Sequence, residues 1–144
     1  MLDDKNNEID HELLTSFLEE SFEVLEGLKD LMENFNGHAD ISCFEQFGQQ
    51  VDRIMGAAYT LSLGDLGDLA KLGKELGYKS SQVKEIGKLL AVQSLLSQLI
   101  KSIEVILNGY KKNQKPVSEE VSLLLNRLTG ASNQLGDLRI SVKV

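Results

Sequence analysis

The chain has 144 residues, one proline, no tryptophan and a net charge of −7. A chain of this length buries enough surface to form one domain without disulfides or metals, and scarce proline favours long helices over a turn-rich β fold. Residues 1–35 hold 11 acidic residues against two lysines, an excess that repels nucleic-acid phosphates and anionic membranes. We therefore expect a soluble all-α protein that binds neither nucleic acid nor membrane.

Cysteine usage and the N-terminal residues indicate the compartment. Cys43 is the single cysteine, which excludes a disulfide within the chain. The first ten residues lack the basic and apolar regions of a secretory signal, and no stretch approaches the roughly 18 apolar residues of a membrane span. These features predict a cytoplasmic protein, and residues 1–9 are expected to form a flexible N-terminus.

Two long amphipathic helices are predicted first. One covers residues 10–35 with Asp10 as its N-cap. The next covers about 42–62 and begins on the capping-box pattern formed by Ser42 and Glu45. Apolar residues in both recur every three or four positions, as in helices packed on a core. These residues are Leu14, Leu18, Leu25, Leu28, Met32 and Phe35 in the first helix, and Phe44, Phe47, Val51, Ile54, Ala58 and Leu61 in the second.

A shorter third helix is predicted over residues 65–77. It begins at Asp65, and Gly77 is expected to end it. Gly67 and Gly73 lie inside this helix, where each glycine costs about 1 kcal/mol relative to alanine. A close approach between helices would explain their presence. The apolar stripe of this helix consists of Leu66, Leu69, Leu72 and Leu76.

Two further helices complete the helical part. The fourth is predicted from Ser80 or Ser81 to Tyr110, and the fifth has Ser118 as its N-cap and ends before Gly130. Pro116 just before the fifth helix agrees with this start. The apolar seam of the fourth helix consists of Val92, Leu96, Leu99, Ile103, Ile106 and Tyr110.

The last residues follow a different period. The segment LRISVKV, residues 138–144, alternates apolar and polar residues, which is the period of a strand. Because one strand is not stable alone, this tail is disordered, packs on the helices, or pairs with its copy in a homodimer. The predicted organisation is thus an antiparallel four-helix bundle over 10–112, followed by a C-terminal helix and an extended segment in 113–144.

Residues for chemistry are scarce. His11 and His38 are the only histidines, and with one cysteine they are too few for a zinc site of ordinary composition. Both lie at helix ends or connections, where a catalytic histidine in a cleft is not expected. The glycines of residues 61–77 follow no strand, and no lysine-serine or lysine-threonine pair closes a phosphate-binding motif there. No catalytic residue, metal or cofactor is therefore predicted.

Tyr59 is the residue that we single out. It lies about 130° from the apolar seam of the second helix, so it is predicted to face outward. Helix geometry places Asp52, Met55, Gly56 and Leu63 on the same flank. An outward tyrosine among glycine and apolar residues is typical of a docking surface, and the alternative is a ring that lies across a groove to cover a neighbouring helix.

Three segments carry a resemblance to a known family. They are FLEESFEVLEGLKDLM at 17–32, AAYTLSL at 57–63 and LGDLGDLAKLGKEL at 63–76. Together they resemble the histidine phosphotransfer domain of two-component phosphorelays, whose second helix ends in a motif of the form A-A-H-T-L-K-G and precedes a helix rich in small residues. The resemblance covers about residues 10–110 and implies a four-helix bundle.

The family motif and this chain differ at three positions. The family's outward histidine receives a phosphoryl group, a lysine three residues on helps to hold it, and a glycine admits the receiver domain. Tyr59, Ser62 and Leu63 replace these residues. Because a phenol has a pKa near 10 and forms no reactive phosphoramidate, the resemblance implies the scaffold and docking face without the reaction. Transfer through His11 or His38 is disfavoured, since neither follows an apolar helix seam.

The sequence therefore favours a non-catalytic interaction module that binds a response-regulator receiver domain or a histidine kinase around Tyr59. One alternative is a response-regulator phosphatase, which inserts an acid and an amide one helical turn apart into the receiver. Glu45 with Gln49, and Glu104 with Asn108, have that spacing. The other alternative is a structural or oligomeric helical protein without a signalling role.

Overall fold

The computed structural model describes residues 10–35 and 42–135, and all regular structure in these ranges is α-helix. The helices are α1 (His11–Asn34), α2 (Ser42–Thr60), α3 (Gly64–Ser80), α4 (Ile86–Lys111) and α5 (Ser118–Asn133). The predicted all-α class is thus confirmed for the described residues. The strand predicted in 138–144, the flexible segment predicted in 1–9, and His38 lie outside them.

The first two helices run antiparallel. Glu20, in the first half of α1, pairs with Arg53 in the second half of α2 at 2.8 Å. Phe35, which follows α1, packs edge-on against Phe44 near the start of α2, with ring centroids 4.8 Å apart. Asp10 caps the start of α1 as predicted, because its carboxylate accepts the backbone N–H groups of the second and third helical residues.

Helix α4 returns to α1, also antiparallel. The Lys29 ammonium of α1 bonds the Glu104 carboxylate late in α4 at 2.6 Å, whereas the Gln93 amide early in α4 donates to the Phe35 carbonyl at 2.9 Å. Among the described helices, α3 packs on α2 and α4, and α5 packs on α3 and α4. Each of the first four helices thus has two of the others as neighbours, and α5 lies outside this ring.

The predicted apolar stripes form the core. Every stripe residue of α3 and α4 is buried, and only Leu14 and Leu61 of the α1 and α2 stripes are half-buried rather than fully buried. The helical period was therefore sufficient to identify the buried faces. The largest side chains that are almost completely buried are Phe44, Phe47, Leu25, Leu28, Ile54, Leu66, Leu69, Leu72, Leu89, Leu96, Leu99 and Ile103.

One described helix, α4, is long and apolar enough to cross a membrane by length and composition, with a mean hydropathy of 1.4 in its most apolar window. The expectation that no segment has this character was therefore wrong. Buried core helices pass the same test, because both environments favour apolar side chains. In this structure the seam of α4 from Val92 to Tyr110 faces the other helices.

Three helix boundaries differ from the predictions by three residues or more. Helix α3 continues through Gly77 to Ser80, and α5 continues through Gly130 to Asn133. Helix α4 begins at Ile86 rather than at Ser80 or Ser81, because both serines belong to the end of α3. The Ser80 hydroxyl donates to the Leu76 carbonyl at 2.6 Å, and the Ser81 hydroxyl donates to the Tyr78 carbonyl at 2.7 Å.

The predicted N-cap of α5 was also wrong. Ser118 is the first helical residue, and Val117 occupies the cap position without a side-chain hydrogen bond. The Ser118 hydroxyl instead donates to the Asp65 carboxylate at the start of α3, at 2.8 Å. This hydrogen bond joins the N-terminal ends of α3 and α5.

Candidate functional site

The candidate site lies where α2 turns into α3. Helix α2 ends at Thr60, and three residues lead to α3. The Leu63 N–H donates to the Ala58 carbonyl at 2.8 Å, and the Ser62 N–H donates to the Tyr59 carbonyl at 3.0 Å. This pair of bonds is the Schellman motif, whose penultimate residue takes a left-handed conformation. Ser62 has that conformation, with φ of 62°.

Glycine at position 62 should stabilise the fold relative to serine. A left-handed conformation costs an L-residue roughly 1–2 kcal/mol that glycine does not have to supply. We expect Ser62→Gly to raise the free energy of unfolding by about 1 kcal/mol, measured by urea denaturation. Asn113→Gly is the matched control, because Asn113 follows α4 with φ of 61° and asparagine tolerates this conformation better. An equal or larger gain at Asn113 would contradict the assignment of strain to Ser62.

The Tyr59 side chain leaves the outer flank of α2 and lies on α3. Its ring covers Gly67, where an added Cβ would come within 2.5 Å of a ring carbon. Its hydroxyl donates to the Asp68 carboxylate at 2.6 Å, and 41% of the residue stays exposed. The tyrosine therefore faces outward as predicted and also covers a neighbouring helix. Gly67, which we expected to permit a close approach between helices, makes room for the Tyr59 ring.

The Tyr59 hydroxyl ionises less readily than an ordinary phenol. Burial of the ring is the largest cause, and the hydrogen bond to Asp68 and the charges of Asp68 and Glu75 act in the same direction to raise its pKa. The phenol is therefore protonated at neutral pH, which is the state that donates to Asp68. A hydroxyl with a raised pKa is a poor nucleophile, but it can donate a hydrogen bond.

Alkaline unfolding tests this environment. Because the folded-state pKa of Tyr59 lies above its ordinary value of 10.0, the resulting stabilisation is complete below pH 10 and is lost as the pH rises further. Tyr59→Phe cannot ionise there. We expect its free energy of unfolding to fall less than that of the parent chain between about pH 9 and about pH 11. Burial also raises the pKa of Tyr110, so part of the loss should remain. Equal losses in both chains would contradict the assignment.

Three predicted site residues lie on α2 with different surroundings. The Asp52 carboxylate pairs with the Lys74 ammonium of α3 at 2.9 Å. Met55 is half-buried and packs against the core. Gly56 is exposed, and a Cβ added there would meet no atom within 4 Å. Gly56 is thus exposed beside Tyr59, and Asp52 and Met55 are each partly accessible there.

Leu63 was placed on the wrong side. It was expected on the exposed flank with Tyr59, but it is 5% exposed and belongs to the core. The reason is the left-handed turn at Ser62, which takes the chain out of the helical period, so that the spacing of four residues from Tyr59 no longer places the two on one face. Ser62 itself is exposed.

The remaining candidate residues are His11 and the two acid–amide pairs of the phosphatase alternative. His11 is exposed, and its carbonyl accepts the Thr15 hydroxyl at 2.8 Å. Glu104 of one predicted phosphatase pair is held by Lys29. Glu45 and Gln49 of the other pair are both exposed on α2. Within residues 10–35 and 42–135, no cluster of three histidine, cysteine or carboxylate residues could hold a metal ion.

The sequence reasoning missed the polar partners of the site. Neither Asp68 nor Lys74 was assigned to the site. In an antiparallel helix pair, residues at similar distances before and after the connection face each other. Tyr59 and Asp68 stand in this relation about Leu63, and so do Asp52 and Lys74 further away. A short connection between two predicted helices was therefore a usable signal.

No protein-family model matches this chain, and a search of curated proteins found no match. The class that the described residues define is accordingly that of an all-helical protein with a tyrosine-centred surface at the α2–α3 turn.

Proposed function

We propose that this chain is a non-catalytic interaction module of two-component signal transduction, acting in the cytoplasm. It binds a response-regulator receiver domain or a histidine kinase through the docking face, defined as Asp52, Gly56, Tyr59 and Ser62 with the exposed edge of Met55. The observation that carries the proposal is that Tyr59, which the resemblance aligns with the family's phosphoacceptor, keeps 41% of its surface exposed.

The arrangement of helices supports the proposal. Four antiparallel helices in a ring, with the key side chain on the outer flank of the second, is the architecture that the resemblance implies. We include the four-helix bundle in the proposal, with α5 as an addition that packs on α3 and α4. The hydrogen bond from Ser118 to Asp65 places α5 beside the start of α3, away from the Asp52–Lys74 pair.

The chemistry of the docking face supports binding rather than phosphoryl transfer. The Tyr59 hydroxyl is already committed to Asp68, whose negative charge repels an incoming phosphoryl group. Ser62 supplies no cation at the position of the family's lysine, and the Lys74 ammonium is paired with Asp52. The hydrogen bond to Asp68 holds the Tyr59 ring on Gly67. The side chain therefore loses little conformational entropy on binding, as expected of an aromatic anchor.

Two substitutions on the docking face test the proposal against a purified receiver domain. Tyr59→Ala removes the anchor and should weaken binding by over about 1 kcal/mol, the usual threshold for an important interface residue. Gly56→Ala adds a methyl group to the docking face while improving helix propensity, so it should weaken binding and stabilise the fold. Isothermal titration calorimetry and urea denaturation give the two quantities separately.

Gly130→Ala is the matched control for Gly56→Ala. A Cβ added at Gly130 also meets no atom within 4 Å, and this glycine lies inside α5. It should bring the same gain in stability, up to about 1 kcal/mol, without a change in affinity. Unchanged affinity in all three variants would show that any binding occurs elsewhere, and the docking face would have to be abandoned.

A further inference from the structure

An apolar cleft between α4 and α5 is not covered by any other part of the described residues. It has a volume of about 410 Å³ and lies between the last turns of α4, the connection to α5 and the first turns of α5. Val105 and Val117 line it and are 70% and 54% exposed, and the half-buried Leu124 continues the same surface. Apolar side chains as exposed as these on one cleft are typical of a surface that another segment covers.

The segment of the same chain that follows α5 matches this cleft in pattern. Residues 136–144 are outside the described ranges, and in the sequence Leu138, Ile140, Val142 and Val144 alternate with polar residues. Such alternation presents one apolar edge and one polar edge when a chain is extended. An extended segment of this kind can place its apolar edge in a cleft and keep its polar edge in water.

Length permits the tail to reach the cleft. From Leu135 back to Val121 along α5 is about 21 Å at the helical rise of about 1.5 Å per residue. The nine residues after Leu135 span up to about 30 Å when extended, at about 3.3 Å per residue. The tail can therefore turn back at the end of α5, run antiparallel to this helix, and place its last residues at Val105.

The placement leaves the charges of the tail in water. Arg139 and Lys143 lie on the polar edge of the tail. The cleft itself is lined by one carboxylate, Glu120, and one ammonium, Lys115, so its lining carries no net charge. We propose that residues 138–144 dock in extended form into the α4–α5 cleft of their own chain. This inference is independent of the proposed function.

A single tryptophan tests the docking, because the natural chain contains none. Val142→Trp puts an indole on the apolar edge of the tail in the full-length chain. Its fluorescence emission should be shifted to the blue, and the addition of Val105→Asp should shift it back to the red. Val117→Asp, on the other wall of the cleft, should do the same. Both valines are exposed, so the helical circular dichroism should not change.

Leu123→Asp is the matched control. Leu123 is 69% exposed on α5 but does not line the cleft, so its substitution should leave the emission of Val142→Trp in the blue. A red emission in the Val142→Trp chain itself would overturn the proposal, and so would equal effects of Val105→Asp and Leu123→Asp. A blue shift that disappears on dilution would show that the cleft is filled by a second copy, which would also overturn it.

Discussion

Replacing Gly77 by alanine is expected to lower the free energy of unfolding by about 1–3 kcal/mol, the usual cost of overpacking. Gly77 lies where α3 crosses the start of α2, and an added Cβ would come within 2.8 Å of the Phe44 carbonyl oxygen and 3.0 Å of the Gly48 nitrogen. Both of these are backbone atoms, so no side-chain rotation relieves the clash and the helices must separate.

Urea denaturation of Gly77→Ala and Gly130→Ala provides the comparison. Both glycines lie inside helices, but the Cβ at Gly130 enters open space. Gly130→Ala should therefore raise stability by up to about 1 kcal/mol, because alanine favours helix. If the two variants changed stability in the same direction, the close approach of α2 and α3 at Gly77 would be wrong.

Truncation of Leu96 to alanine is expected to cost about 2–5 kcal/mol, since it leaves a cavity in the core. Leu96 is 0% exposed at the middle of the α4 seam. Leu90 lies on the same helix with 46% of its surface exposed, and its truncation should change stability by less than about 0.5 kcal/mol. The pair removes the same atoms from the same helix in two environments.

The same two variants test how α4 is used. If the apolar length of α4 serves the core of this domain, only Leu96→Ala should lower the midpoint of thermal unfolding in aqueous buffer. Equal effects of the two truncations would indicate that the exposed side of α4 is covered as well, and that the packing of this helix has been assigned incorrectly.

The buried faces could be predicted from the sequence because they depend on one repeated quantity, the helical period. Leucine, isoleucine and phenylalanine at every third or fourth position must share a side, and burying that side outweighs most local preferences. This is why the predicted apolar stripe of α3 was correct, although the helix also contains glycines, which have low helix propensity.

The helix boundaries could not be predicted as well, because glycine and serine have several uses. Gly77 has the sequence context of a helix end, yet its small size serves a crossing with Phe44 and Gly48 that involves another helix. Ser80 and Ser81 have the context of a helix start, yet their hydroxyls bond carbonyls in the preceding turn. Tertiary contacts decide between these uses, and the local sequence does not contain them.

The candidate site, too, was predictable only in part. The outward position of Tyr59 follows from the helical period and was predictable. The hydrogen bond to Asp68, the ring on Gly67 and the burial of Leu63 depend on the left-handed turn at Ser62, a conformation that serine rarely adopts. A glycine at position 62 would have indicated this turn in the sequence, whereas the serine did not.

The central claim is that the Tyr59 face binds a receiver domain without accepting its phosphate. The most direct measurement mixes the chain with a receiver that carries a labelled phosphoryl group on its aspartate, and follows complex formation and the label together. Our account predicts saturable, stoichiometric binding, weakened in Tyr59→Ala, with the label remaining on the receiver. Label that moves to this chain, or the absence of a complex with any receiver tested, would contradict it.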